Sequence, residues 1–129
     1  MLDRIDIHVE VPAAEFKELS SAIPGTSSES IREQVINARR AQFERFEETP
    51  ILYNAQMTSR QIREFCKLGD DGINILKNAV NEMGLSARAH DKVLRLARTI
   101  ADLEASSVIE PHHLQEAINY RMLDRDVWK

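Results

Sequence analysis

Residues 84–104 read GLSARAHDKVLRLARTIADLE. Gly84 closes the helix before it, and Ser86 is placed to cap a new one. At helical pitch Ala89, Val93, Leu96, Ala97, Ile100 and Leu103 fall on one side, and Arg88, Lys92, Arg95 and Arg98 fall on the other. The apolar stripe requires a docking partner among the other helices. The basic stripe then faces solvent, a partner or an anion. Arg88 stands in the first turn, where free N–H groups and the positive end of the helix dipole favour negative charge. That position suits an arginine that holds a phosphate, although for an arbitrary helix a solvated basic face is the plainer reading.

Working outward, the next helix starts at Pro111 and carries Leu114, Ala117 and Ile118 inward. Before Gly84, a helix capped by Asp70 or Asp71 turns Ile73, Leu76, Val80 and Met83 to the core. A capping box of Thr58 and Gln61 starts a shorter one through Ile62, Phe65, Cys66 and Leu68. A second box, Thr26 with Glu29, opens a long helix to about Glu47, with Ile31, Val35, Ala38, Gln42 or Phe43, and Phe46 on its apolar side. Its charge run, Arg39 to Glu48, reads as a solvated face.

The N-terminal end differs. Residues 4–11, RIDIHVEV, alternate strictly, with Ile5, Ile7, Val9 and Val11 on one face. Pro12 ends this strand, and a short helix over 13–19 follows. No other stretch alternates in this way, and a lone strand cannot satisfy its own backbone groups. The chain is therefore expected to be part of something larger, beginning inside or just before a sheet. The expected organisation is residues 1–25 as the end of a core domain, 26–57 as the long helix and a connection, and 58–129 as a helical domain.

Composition excludes several classes. A chain of 129 residues with 43% hydrophobic and 29% charged residues is sized for one modest core. The net charge of −4 argues against a general nucleic-acid binder, though not against a local basic stripe. Cys66 is the single cysteine, so there is no disulfide framework, and a reducing cytoplasmic setting is expected. No apolar run approaches membrane-spanning length.

Chemistry-bearing motifs are sparse. None of the glycines is followed by Lys-Ser or Lys-Thr, so there is no P-loop, and no strand ends in an Asp-Glu pair for magnesium. Adjacent His112 and His113 diverge on a helix, so at most one could pair with Glu116 around a metal; both read as exposed helix-start residues. His90 reads as a packed, hydrogen-bonded histidine, and Cys66 as core. Arg4, at the start of the strand, and Arg88 remain. Beside an incomplete sheet, both could complete a nucleotide site whose other parts lie elsewhere.

Several stretches carry a resemblance. LDRIDIHVEVP, residues 2–12, resembles the segment of magnesium-chelatase-type AAA+ ATPases that bears the arginine finger. Residues 84–104 resemble their second sensor helix. YNAQM at 53–57 and HLQEAINYRMLDR at 113–125 resemble the rest of the C-terminal region in the ComM, or YifB, branch of that family in bacteria. The resemblance implies an all-α lid (sensor-2) domain with one orphan N-terminal strand and a long preceding helix. It implies Arg4 as a finger acting in trans in a neighbouring subunit's site, and Arg88 as the sensor arginine on the ATP γ-phosphate. ATP with Mg²⁺ would be bound by the parent's core domain and not by this chain alone, which is expected to have no ATPase activity. The implied partners are the parent's own core domain, neighbouring subunits of a homo-oligomeric ring and DNA, as in a helicase-like branch-migration motor, with no membrane. The competing reading is a free-standing helical module whose basic helix face contacts nucleic acid or an acidic protein.

Overall fold

A computed structural model describes Ile7 and residues 27–120. The strand expected over 4–11, apart from Ile7, the short helix over 13–19 and Arg4 lie outside the described residues. Within them the all-α expectation is met: five helices and one 3-10 turn, with no strand. The helices are α1 (Ser28–Arg45), α2 (Ser59–Phe65), α3 (Asp70–Met83), α4 (Ala87–Leu103) and α5 (Pro111–Asn119), and the turn spans Asn54–Gln56. None is long and apolar enough to cross a membrane.

The caps explain the boundaries. Ser27, not Thr26, caps α1, accepting from the Ser30 N–H at 3.1 Å, and the helix ends at Arg45 rather than Glu47. Thr58 and Gln61 form the expected reciprocal box at α2. Gly69 precedes α3 without a side-chain cap; Asp70 and Asp71 instead lie in the first turn, where they favour the helix dipole. Gly84 ends α3 at φ 62°, a left-handed conformation in which a side chain would be strained. Ser86 caps α4 as expected, accepting from the Ala89 N–H at 3.1 Å.

The central element is α4, against which α1, α2, α5 and the 3-10 turn all pack. Its buried alanines, Ala89, Ala97 and Ala101, with Ala117 of α5, let the helix axes approach closely. Phe46 meets Phe65 edge-to-face at 5.3 Å, and Met57, Ile62, Val93, Leu94, Ile100, Ile109, Leu114 and Ile118 complete the core. Gly72 sits where α3 meets α5; a Cβ there would stand 3.3 Å from Leu68 Cβ.

The buried faces depart from the periodic apolar stripes in three places. Ile73 of α3 is 51% exposed, and Gly72 and Ala79 take the inward positions beside Leu76. Leu103, the last residue of α4, is exposed. On α1, Gln42 is buried and Phe43 is 64% exposed, while Ile31 and Val35 continue the stripe beyond the helices that could cover it.

Candidate functional site

The start of α4 is the site singled out in the sequence. Arg88 is exposed in its first turn, with no hydrogen-bond or ion-pair partner among the described residues. The N-terminal amides and the helix dipole add positive potential in that turn. A free guanidinium there can take two oxygens of an anion without first breaking a contact.

The other members of the basic stripe are used differently. Arg95 is half-buried, and its Nε donates to the Met57 carbonyl at 3.1 Å, tying α4 to the end of the 3-10 turn. Arg98 is not on a solvent face at all: it is 3% exposed. Its Nη1 and Nη2 donate to the carbonyls of Ser107 and Ser106 at 3.2 and 2.7 Å, and Nη2 lies 3.2 Å from Asp102 Oδ1. Burial pulls this guanidinium below its ordinary pKa, and the Asp102 carboxylate opposes the pull. A six-residue apolar stripe underestimated how much of α4 is enclosed. α1 covers the flank that carries Arg98 and Asp102, so the buried arc is wider than one stripe.

Asp102 is the hub of this buried network. Arg45 donates to it in bidentate fashion, Nη2 to Oδ1 at 2.7 Å and Nη1 to Oδ2 at 2.9 Å, and Asn54 Nδ2 donates to Oδ2 at 2.8 Å. Asn54 also receives Arg45 Nη1 at 2.9 Å, donates to Thr99 Oγ1 at 3.1 Å and gives its backbone N–H to Gln42 at 2.9 Å. Arg45 therefore leaves the solvated charge run of α1 to lock that helix onto α4, through a residue 57 positions away. Cys66, buried nearby, is core as expected; burial pushes its thiol up to about 11, with Arg98 and Arg45 pulling the other way.

At the same C-terminal end of α4 a second polar group forms. Glu104 reaches across to α5, where His112 Nε2 lies 2.9 Å from its Oε2 and His113 Nε2 contacts the same oxygen. His113 is buried at 1% exposure, not a solvent-facing residue, and the carboxylate partner is Glu104 rather than Glu116. The two imidazoles converge because they occupy the first turn of α5, with ring centroids 4.0 Å apart, under the end of α4. These hydrogen bonds, His112 first, hold the Glu104 carboxyl below the usual value. Three potential ligand atoms lie within 4.8 Å of one another. Yet the Glu110 N–H donates to His113 Nδ1 at 2.9 Å, which places the ring proton on Nε2, where it is given to Glu104. A metal on Nε2 would need that lone pair and would set a proton on Nδ1 against the backbone donor. The trio is built as a hydrogen-bonded clasp. Its signal was present in the sequence: Glu110 and His113 have capping-box spacing, with histidine in the glutamate position.

Arg4 lies outside the described residues. His90 is partly exposed, with Nδ1 3.3 Å from Asp91 Oδ1, and it borders a groove between α2, α3 and α4.

The family model described as "Magnesium chelatase, subunit ChlI C-terminal" matches residues 25–121. The uncharacterized protein YifB of Escherichia coli strain K12 is 41% identical over 125 residues, which is 96% of this chain and 24% of that protein. YifB of Salmonella typhimurium and competence protein ComM of Haemophilus influenzae are each 38% identical over the same shares. The chain spans about a quarter of the length of the curated relatives it matches.

Proposed function

This chain belongs to the magnesium chelatase C-terminal family, in its ComM and YifB branch, and from that premise we propose that it serves as the lid of a ring-forming AAA+ ATPase. In this reading Arg88 meets the γ-phosphate of ATP held with Mg²⁺ in the parent's core domain. Arg4 reaches the site of a neighbouring subunit as a finger. The parent acts as a DNA-processing motor of the branch-migration kind.

The observation that supports this best is the sorting of the basic stripe. Arg95 and Arg98 are spent inside the fold, whereas Arg88 is exposed and unpartnered among the described residues, at the positive end of α4. A general basic face for nucleic acid would keep its cations available. Here Arg98 is withdrawn and Arg95 is tethered, which weakens the reading as a free-standing binding module.

The test uses a full-length protein carrying this C-terminal region. Arg88→Ala removes one charged contact to the phosphate, worth about 1.5–3 kcal/mol, and should cut ATP turnover about 10- to 100-fold. Lys92→Ala, one turn further along, should cost much less. Turnover in the Arg88→Ala protein equal to that of Lys92→Ala would overturn the sensor role.

A further inference from the structure

Only Gly84, Leu85 and Ser86 join α3 to α4, yet these two helices do not close on each other. Both pack on α5, and α2 packs on α4, but α3 meets α2 and α4 only sparsely. The gap is a groove of about 690 Å³. Ile62, Leu76 and Leu94, all buried, form its floor. Ile73 and Val80, two turns apart on one face of α3, form a wall. Ile73 stands half exposed on the lip. A small molecule held inside the groove leaves that side chain wet, whereas a ridge lying along the groove covers it.

The available charge around the groove is positive. Arg63 of α2 and Lys77 of α3 line it from different helices, and neither has a hydrogen bond or ion pair among the described residues. Arg60 and Lys67, also exposed, share the flank of α2 with Arg63, the three falling within about 60° of arc. Asp91 lines the groove but is already engaged, by the Ser59 hydroxyl at 2.9 Å and by His90 Nδ1 at 3.3 Å. Glu64 lies beyond Arg60 round α2, and Asp70 stands in the first turn of α3, where the helix dipole favours it.

An apolar trough with unpaired cations on two walls fits an apolar ridge flanked by carboxylates. A nucleic-acid backbone would meet the cations but leave the trough uncovered. We propose that the α2–α3–α4 groove binds an acidic amphipathic helix of another protein. About two turns of that helix are engaged, matching the span from Ile73 to Val80. Its apolar residues, at i, i+3 or i+4, and i+7, rest on Ile62, Ile73, Leu76 and Leu94, and its Asp or Glu side chains meet Arg63 and Lys77. The surface does not involve Arg88. It goes beyond the ATP-site reading and is independent of it, since its test contains no nucleotide.

Fluorescence anisotropy of labelled peptides titrated with the 129-residue chain provides the test. The probe is a peptide of about 16 residues, with leucines in helical register and glutamates on both flanks. One control carries lysines in place of the glutamates, and another scrambles the same composition. The acidic peptide should bind at about 10–100 μM, and both controls at least about 10-fold more weakly. Ile73→Glu should weaken binding about 10-fold or more, while Ile36→Glu, exposed on α1 outside the groove, should leave it unchanged. In Arg63→Glu with Lys77→Glu the preference should reverse, so that the lysine peptide binds better than the glutamate peptide. All these positions are exposed, and circular dichroism checks that each variant is folded. The proposal is overturned if the acidic peptide shows no binding up to about 1 mM, if the lysine peptide binds the unmodified chain equally well, or if charge reversal leaves the preference unchanged. Self-association in sedimentation that Ile73→Glu abolishes would give the groove to a second copy. Dodecanoate binding there more tightly than the peptide would give it to a lipid acid. Either result equally overturns the proposal.

Discussion

Asp102→Asn should destabilise this fold more than any surface change of similar size. The carboxylate side chain is 1% exposed and receives Arg45 twice, Arg98 once and Asn54 once, at 2.7–3.2 Å. Asparagine keeps the shape but offers a single acceptor oxygen and turns an NH₂ toward guanidinium donors. It also leaves Arg98, whose side chain is 4% exposed, with carbonyl partners and no counter-charge. Removing one partner of a buried ion pair costs about 3–5 kcal/mol. Arg45, at 16% exposure, retains some hydration, so the lower end, about 3 kcal/mol, applies. For a folded body of this size that lowers the melting temperature by roughly 12–24 °C. Urea unfolding followed by circular dichroism reads the loss directly, with an unchanged m-value. A companion variant, Arg45→Met, Arg98→Met and Asp102→Leu together, should recover most of it, because uncompensated charge and not lost packing is the cause. A cost below about 1 kcal/mol for Asp102→Asn would refute the view that this network locks α1 to α4.

Two further outcomes follow from the residues just after Asp102, where α4 ends. Ala105 stands at φ 58° in the turn that ends the helix, with its N–H and that of Ser106 bonded back to Asp102 and Ala101; left-handed alanine costs about 1–2 kcal/mol, so Ala105→Gly should stabilise by about 0.5–1 kcal/mol after the entropy of glycine is charged, and no rise in melting temperature would contradict the strain. The Glu104 carboxyl is held below its ordinary 4.5 by His112 and His113, so its contribution is present above that value and lost as pH falls through the lower folded one. Glu104→Gln should flatten the acid limb of the stability profile below about pH 4.5, and an unchanged limb would show the clasp to be energetically silent.

Much of the architecture could be read before any coordinates. Thr58 with Gln61, Ser86, Gly84 and Pro111 are local signals acting within one turn, and each marks a boundary the structure reproduces. Leu114, Ala117 and Ile118 follow from period alone, because a helix packed on one side buries one stripe. Periodicity failed where the number of neighbours mattered. Arg98 reads as a basic-face residue, yet α1 packs over the flank of α4 that carries it and Asp102, and both are buried. Ile73 reads as core, yet no element lies over it among the described residues.

The sequence by itself therefore determined the all-α body, the order of its helices, their caps and the family to which they point. These depend on propensity, capping and hydrophobic period, which act between residues a few positions apart. Tertiary structure alone decided which charges are structural and which are available. Arg45 meets Asp102 across 57 residues, and Glu104 meets His112 and His113 across a helix end. Long side chains reach such partners only when separate helices are brought side by side, and no period along the chain encodes that meeting. The distinction between Arg98, buried against a carboxylate, and Arg88, exposed at the start of the same helix, is a product of that packing.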